Sequence, residues 1–523
     1  MNIFKDRFSE IKKASEPLYK SPKSVQETIE ILKISESGIF EVADGKYSRT
    51  YRFSDVNYAT RSEEEQESFF QRYCRCLNSF DCTFKITVNN KNKDMDVLRN
   101  EVMLKYRNDG FDKMRESYNR IIKEKILEGR QGIEQERYLT ITIERKNFEE
   151  AKAQFATIEA SMFRSFAELG SKLTPLTGNE RLKILHDYYR LGREDEFNFD
   201  IRHGRITGTD FRNEICNTRI KYHPDYFEDE GKVGRVLFIK KYPTYLSDRF
   251  FTELTFLPVH SVTSVDVVPV PKDLTMKMLQ KKYLGIESDI IKQQRTRNRN
   301  NDFSSDISYA TRQKKKDIEE IMNNVRENDE SLYYVSVTMI VMADDRDELE
   351  SICETVDSIA KGAGCAVDTC MYKQREAVNT TLPIGVRQIE TMRTMLTQSL
   401  AVLMPFNVQE LCDRNGIYYG VNQISKNIIV GNRKKLLNGN GFIFGVSGAG
   451  KSFQAKMEMG SVLLSTDDNV IAVDPMNEYE DVTEKYNGTY INISTNTRNY
   501  INPMDMDVWN LDVLDSKGWV RDK

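Results

Sequence analysis

Eight consecutive residues, Gly445-Val446-Ser447-Gly448-Ala449-Gly450-Lys451-Ser452, match the pattern GxxxxGK[ST] in full. Their types suit a chain of phosphates. Glycines let the backbone wrap around an anion, so that successive N–H groups point inward. A helix opening at the end of the loop adds its free N–H groups and dipole to the attraction. Lys451 can reach β- and γ-phosphates as a point charge and stands as the catalytic residue, while the Ser452 hydroxyl is placed to ligate Mg2+. With Phe453, the stretch Gly445 to Phe453 is the candidate nucleotide site, and ATP with Mg2+ is the ligand it implies. The bland alternative is a glycine-rich turn that binds nothing.

The flanking elements decide against that alternative. Phe442, Ile443 and Phe444 form a short apolar run that suits a buried parallel strand. Residues 453–464 read as a helix with Phe453, Met457, Val462 and Leu464 among its apolar positions. Strand, glycine loop and helix thus follow in the order the motif requires. A second apolar run, Val470-Ile471-Ala472-Val473, ends in Asp474-Pro475. It reads as the next strand of the sheet, ending near the nucleotide with Glu478 and Tyr479 close by. Asp474 and Glu478 are therefore possible site residues of a second-strand motif. Pro475 stands where a water-polarising acid would follow Asp474, which argues against the main Mg2+-holding acid; a capping acid at a strand-to-loop turn is the other reading. Asp505, Asp507, Asp512 and Asp515 do not close apolar strands. The expectation is a chain that stops within its P-loop domain, as a fragment.

Upstream, helical and strand patterns mix without long Gly/Pro linkers. Phe111, Met114, Tyr118, Ile121, Ile122 and Ile126 recur at helical spacing, with Gly129 and Gly132 as stop signals. Leu139, Ile141 and Ile143 alternate with threonines as in a half-buried strand, and Asn147 can cap a helix that faces inward with Phe148, Ala151, Phe155, Ile158 and Met162. A similar unit follows later. Tyr333, Val335, Val337, Met339 and Val341 alternate, Asp344 or Asp345 can cap, and Leu349, Ile352, Cys353, Val356 and Ile359 face inward. Two such units hint at a duplicated α+β layer with helices over one face of an antiparallel or mixed sheet. Between them lies a basic stretch from Lys281 and Lys282 through Lys292, Arg295, Arg297 and Arg299 to Arg312, Lys314, Lys315 and Lys316, with a loop or helical-hairpin tip near Asn298 to Asp306. It reads as a solvated face, diluted by Glu287, Asp289, Asp317 and Glu319; nucleic-acid contact is the alternative.

The 523 residues allow two to four domains. A net charge of −4, with 30% charged and 39% hydrophobic residues, excludes a globally basic nucleic-acid coat and suits globular protein. No run reaches the ~18 apolar residues of a membrane span; the longest, Leu332 to Ala343, is interrupted by Ser336 and Thr338. The N-terminus has no apolar signal-peptide core, so a cytoplasmic chain is expected, with membrane association through partners. Cys74, Cys76, Cys82, Cys216, Cys353, Cys365, Cys370 and Cys412 are scattered as reduced thiols would be, and neither they nor His186, His203, His223 and His260 match a metal template.

From about Ser399 onward the chain resembles the conjugative-transfer ATPases of type IV secretion systems, the TraE/TraC type or VirB-class motor, in its Gram-positive conjugative-element form. The residues behind this are Leu403-Met404-Pro405-Phe406, Gly416-Ile417-Tyr418-Tyr419-Gly420, Asn422, the P-loop, Asp474-Pro475-Met476-Asn477-Glu478-Tyr479 and Tyr500-Ile501-Asn502-Pro503-Met504-Asp505. The resemblance implies an α/β chain: residues 1–430 an N-terminal α+β docking domain, with Leu382-Pro383 before a helix, and residues 431–523 the N-terminal part of a RecA-like P-loop ATPase domain with a parallel sheet. It further implies ATP and Mg2+ as cofactors and a homo-hexamer at the inner face of the cell membrane. The partners would be the secretion channel, inner-membrane components, a coupling ATPase and DNA. Lys451, Ser452 and the loop glycines match the family's phosphate and Mg2+ residues; its Walker-B acids, sensor glutamine and arginine finger have no counterpart here. Two other functions compete: a DNA-translocating motor related to coupling proteins or helicases, and a nucleotide-binding scaffold without turnover.

Overall fold

The computed structural model describes residues 22, 24–92, 102–128, 133–243, 245–299, 309–327, 329–409 and 411–499, apart from 412, 414–415, 424–426, 495 and 498. These divide into two compact units. One comprises Met1–Leu98, Ile126–Leu411 and Val421–Asn427; the other comprises Arg99–Lys125, Cys412–Gly420 and Ile428–Lys523.

Within the first unit, the elements run β1 (Lys46–Phe53), α1 (Glu63–Asn78), β2 (Thr83–Asn92), α2 (Asp112–Glu128), β3 (Ile133–Glu144), α3 (Phe148–Leu169) and β4 (Leu173–Pro175). Only the last residues of α2 fall in this unit. After α4 (Gly178–Tyr189) the series recurs as β5 (Lys232–Lys241), α5 (Arg249–Thr255), β6 (Ser261–Val270), the helical pair α6 (Lys272–Arg299) and α7 (Tyr309–Glu327), β7 (Leu332–Ala343), α8 (Arg346–Gly362) and β8 (Ala366–Thr369). Capping side chains start these helices as the sequence suggests. Asn147 accepts the Glu150 N–H ahead of α3, and Asp345, rather than Asp344, accepts the Glu348 N–H ahead of α8.

Pairing reveals a duplication. In the first series β4 pairs β1, β1 pairs β3 and β3 pairs β2, all antiparallel. In the second series β8 pairs β5, β5 pairs β7 and β7 pairs β6, again antiparallel. Each series is thus a βαββαβ unit with strand order 4-1-3-2, the ferredoxin-like arrangement. The two join edge to edge where β2 pairs antiparallel with β6, from Ser261↔Asn90 to Val267↔Phe84. One continuous sheet results, with short strands added at both ends.

Both faces of that sheet are buried. Phe69, Tyr73 and Leu77 of α1, Phe155 and Phe166 of α3, Phe250 and Leu254 of α5 and Leu349 and Val356 of α8 join the cluster that includes Tyr51, Phe84, Leu139, Val265 and Val335. Leu182 and Leu185 of α4, with Val378, Leu382 and Ile384, cluster with Val236, Val262 and Ile340. This corrects the half-buried reading of Leu139, Ile141 and Ile143: Thr140, between them, and Tyr138, just before them, are buried as well. Cys74, Cys76 and Cys82 pack in the first cluster or against it, and burial pushes their thiols up to about 12. They serve as small apolar groups.

A buried strap crosses the second face. α9 (Gln374–Thr381) ends just before Leu382-Pro383. The sequence reading placed that dipeptide before a helix; it follows one, because proline cannot continue the turn. The strap's carbonyls are met by side chains from the sheet and α4. Lys85 donates to Thr380 O, Leu382 O and Val386 O, Arg181 to Pro383 O and Ile384 O, and Ser48 to Ile384 O. An unpartnered buried carbonyl costs about 1–3 kcal/mol, so this accounting is what permits an irregular segment inside the unit. No helix among the described residues is long and apolar enough to cross a membrane.

Candidate functional site

The second unit holds the P-loop. Residues 442–444 lead into the glycine loop, and α10 (Lys451–Ser465) starts from Gly450, whose φ of 86° and ψ of 18° lie in the left-handed region. Gly448 has a φ of 79°. A Cβ at either glycine would meet no atom within 4 Å, so both are glycine for their backbone angle and for what can approach them, not for internal packing. The Lys451 ammonium folds back to donate to Gly445 O at 2.8 Å and Val446 O at 3.2 Å. Gly445 through Lys451 are exposed, Ser452 is half-buried in the first helical turn and Phe453 is exposed. The residues fit a triphosphate: an open loop, two glycines at positive φ, a helix N-terminus and a lysine whose only hydrogen bonds among these are to the loop itself.

Asp474 sits in a turn. Its Oδ1 accepts the Met476 N–H at 3.1 Å and its Oδ2 the Tyr479 N–H at 2.9 Å. Burial alone would raise its carboxyl; the N–H groups of Tyr479, Met476, Glu478 and Asn477 hold it below the ordinary value. This is the geometry of a capping acid. Glu478 is exposed, and the Lys456 ammonium, one turn into α10, lies 5.5 Å from the centre of the Tyr479 ring.

The expected strands differ. Among the described residues neither 442–444 nor 470–474 pairs into a ladder; this unit's sheet is the two-stranded one of Ile417–Val421 and Ile428–Gly431. Phe444 is 88% and Val473 95% exposed. The buried parallel strand expected at Phe442 to Phe444 is therefore corrected to an extended, exposed segment. An apolar run becomes a buried strand only when neighbours pair with it and cover it, and no described residue does so.

What surrounds α10 was legible only in part. Tyr419 donates to Glu458 of α10 at 2.8 Å, and Arg433 pairs with the same carboxylate at 2.9 Å. The far end of α10 is held by residues that sequence reasoning assigned to the upstream region. Arg115, on the first turn of α2 and fully buried, donates to Leu464 O at 3.1 Å. Its other nitrogens bind Asp109 at 2.6 Å and Asp112 at 2.8 Å. Arg107 donates to Ser465 O at 2.8 Å and Thr466 O at 3.3 Å and pairs with Asp467. The Asp109-x-x-Asp112-x-x-Arg115 spacing was the available signal; periodicity shows which face of a helix is apolar, not what it meets.

The basic stretch forms the helical pair α6 and α7. Lys315 pairs with Glu287 at 3.0 Å and lies over Tyr283, while Lys281, Lys282, Lys314 and Lys316 are exposed. Gly129, Gly132, Cys412, the side chains of Arg297 and Arg299, most of the interval Asn298 to Asp306 and the whole segment Tyr500 to Asp505 fall outside the described residues. Among the described residues no group of three or more His, Cys, Asp or Glu is placed to hold a metal ion.

Residues 432–519 match a family model. The match is to the central domain of the helicase HerA. That domain marks P-loop ATPases of the FtsK/HerA type and is also found in TraE/TraC-like conjugation ATPases. The HerA-like region begins at Asn432, just beyond the two-stranded sheet, and includes the glycine loop, α10 and the Asp474 turn. No curated protein matches the chain.

Proposed function

We propose that this chain is an ATP-binding motor protein of a type IV secretion or conjugation apparatus, coupling ATP hydrolysis to apparatus assembly and to transfer of DNA or protein across the cell envelope. The observation behind it is the glycine loop, with left-handed Gly448 and Gly450 opening directly into α10, inside a region similar to a P-loop ATPase domain. Gly445 to Phe453 hold the nucleotide, Lys451 contacts its phosphates and Ser452 its Mg2+. Mg2+, when bound there, would offset the charge of the phosphates. Asp474 shapes the adjoining turn and presents Glu478 beside it. Residues 1–430 are the docking domain and 431–523 belong to the ATPase domain, in a hexamer at the inner face of the membrane that contacts channel proteins and a coupling ATPase. The ordered blocks from Leu403 to Asp505 and the large duplicated α+β unit ahead of the P-loop support a secretion motor. The HerA similarity favours a second reading, a DNA-translocating motor.

Calorimetry with Mg2+-ATP on the chain and on Lys451→Ala tests the site. Losing one charge-assisted phosphate contact weakens binding at least about tenfold; equal affinity refutes it. Turnover stimulated by single- or double-stranded DNA supports the translocase, whereas DNA-independent binding to channel proteins supports the secretion motor.

A further inference from the structure

A helix that serves a core buries one of its faces. Most of the pair α6–α7 does not. Thr275 and Leu279 near the start of α6 and Val325 near the end of α7 are buried, but from Gln280 to Arg295 and from Thr311 to Asn324 no residue is. The root is fixed to the sheet of the first unit, where Tyr334 of β7 donates to Met278 Sδ at 3.8 Å. Beyond it the two helices pack chiefly on each other.

Past the first turn, the acids of α6 lie toward α7. Glu287 pairs with Lys315 of α7 at 3.0 Å, and the same ammonium lies 5.1 Å from the centre of the Tyr283 ring. Asp289 lines the groove between the helices with Lys282, Gly285 and Ile286. The other side of α6 is built differently. Lys277, Lys281, Leu284, Ser288, Ile291 and Arg295 follow at alternating steps of four and three. At 3.6 residues per turn they share one stripe, about 27 Å long. All six are exposed, including the two large apolar side chains, Leu284 at 62% and Ile291 at 48%. The stripe from Lys277 to Arg295 carries no carboxylate.

This combination selects its partner. Cations alone serve the phosphates of a nucleic acid, and a leucine and an isoleucine set among them add nothing to such contacts. A partner helix is captured in an apolar groove, whereas this stripe is the convex outer side of a helix. An anionic bilayer accepts both kinds of residue at once. Lysine and arginine keep their charges among the headgroups on long stems, while aliphatic side chains enter the acyl boundary. We propose that this stripe of α6 is a docking face for an anionic phospholipid surface, with Lys277, Lys281 and Arg295 on the headgroups and Leu284 and Ile291 at the acyl boundary. It rests on the membrane location proposed above, to which it adds a direct lipid contact, and it uses residues of the first unit alone.

Co-sedimentation of the full chain with vesicles tests it. The chain should pellet with vesicles of phosphatidylcholine and phosphatidylglycerol in equal parts, less so as salt is raised, and stay in solution with phosphatidylcholine alone. Lys277→Gln combined with Lys281→Gln removes two cations, each worth about fivefold in affinity near such a surface, so this variant binds roughly 25-fold more weakly. Leu284→Gln combined with Ile291→Gln weakens binding at least about tenfold, with an unchanged circular dichroism spectrum because both positions are exposed. A parent chain that ignores the anionic vesicles overturns the proposal, and Mg2+-ATP calorimetry on the same sample shows separately whether the motor reading stands. Vesicle binding that survives in both double variants overturns the assignment to this stripe. Duplex DNA bound in place of vesicles, lost in the lysine variant and kept in the leucine–isoleucine variant, makes the face a nucleic-acid contact instead. A dimer formed in place of vesicle binding, and returned to monomer by Leu284→Gln with Ile291→Gln, makes it a contact between copies and likewise overturns the lipid reading.

Discussion

Gly450 offers the sharpest separation of fold from function at the P-loop. Replacing it with alanine places an L-residue at φ 86°, ψ 18°. That conformation costs an L-residue roughly 1–2 kcal/mol. No neighbour lies within 4 Å of the new Cβ, so no steric penalty is added. Alanine also restricts the unfolded chain, which returns about 0.4–1 kcal/mol. The net loss of stability is about 1 kcal/mol, read by urea unfolding of the second unit. Asparagine tolerates the left-handed region better, so Gly450→Asn should lose less. Nucleotide binding follows a different rule. Both variants carry a Cβ into the space where a phosphate approaches the loop, so both should bind Mg2+-ATP at least about tenfold more weakly, a difference of about 1.4 kcal/mol. Calorimetry on the two variants and the parent gives the answer. If Gly450→Asn keeps full affinity, the open space at this glycine is not used by the ligand, and the backbone angle alone explains the residue.

Other measurements bear on the rest of the chain. Burial pushes the Asp229 carboxyl up to about 7, with the Asn217 amide pulling it down and Glu230 adding to the rise. Between about pH 4 and 7 the folded protein holds a proton that the unfolded chain has shed, so stability falls as pH rises, by about 1.4 kcal/mol per unit. Relative to Asp229→Asn, the parent should lose about 2 kcal/mol between pH 5.5 and 7.5 in urea unfolding; parallel pH profiles would refute this. If Asp474 caps a turn, Asp474→Asn, which keeps one acceptor for Met476 or Tyr479, leaves Mg2+-ATP affinity within about twofold. A loss of a hundredfold would instead make Asp474 a metal ligand.

The parts of this fold legible in the sequence are those set by neighbours along the chain. Alternation at Tyr333 to Val341 marked β7, and Asn147 and Asp345 start the helices they precede because a cap needs only the next three residues. The glycine loop is equally local. What escaped depends on partners far away. The strap at Thr380 to Arg387 holds its course because Lys85 and Arg181 reach its carbonyls from β2 and α4, and nothing in its own residues announces them. α2 shows its apolar face in the sequence, yet its assignment to the P-loop unit follows from Arg115 and Leu464, 349 positions apart. Phe442 to Phe444 fail in the opposite direction: the residues suit a buried strand, but strand formation is a property of a pair.

The duplication sends the two long insertions of the sheet away from opposite ends of its central strands. Each repeat carries its long insertion at the same topological position, α2 between β2 and β3, and the α6–α7 pair between β6 and β7. The seam is antiparallel: Asn90, near the end of β2, faces Ser261 at the start of β6, and Phe84, near the start of β2, faces Val267 toward the end of β6. The two insertions therefore leave the sheet from opposite ends of the strands. Equivalent in topology, they start from opposite ends of the sheet, and α6 keeps Leu284 and Ile291 exposed seven residues apart. A duplicated fold has in this way given one scaffold two outlets that cannot compete for the same end of the sheet.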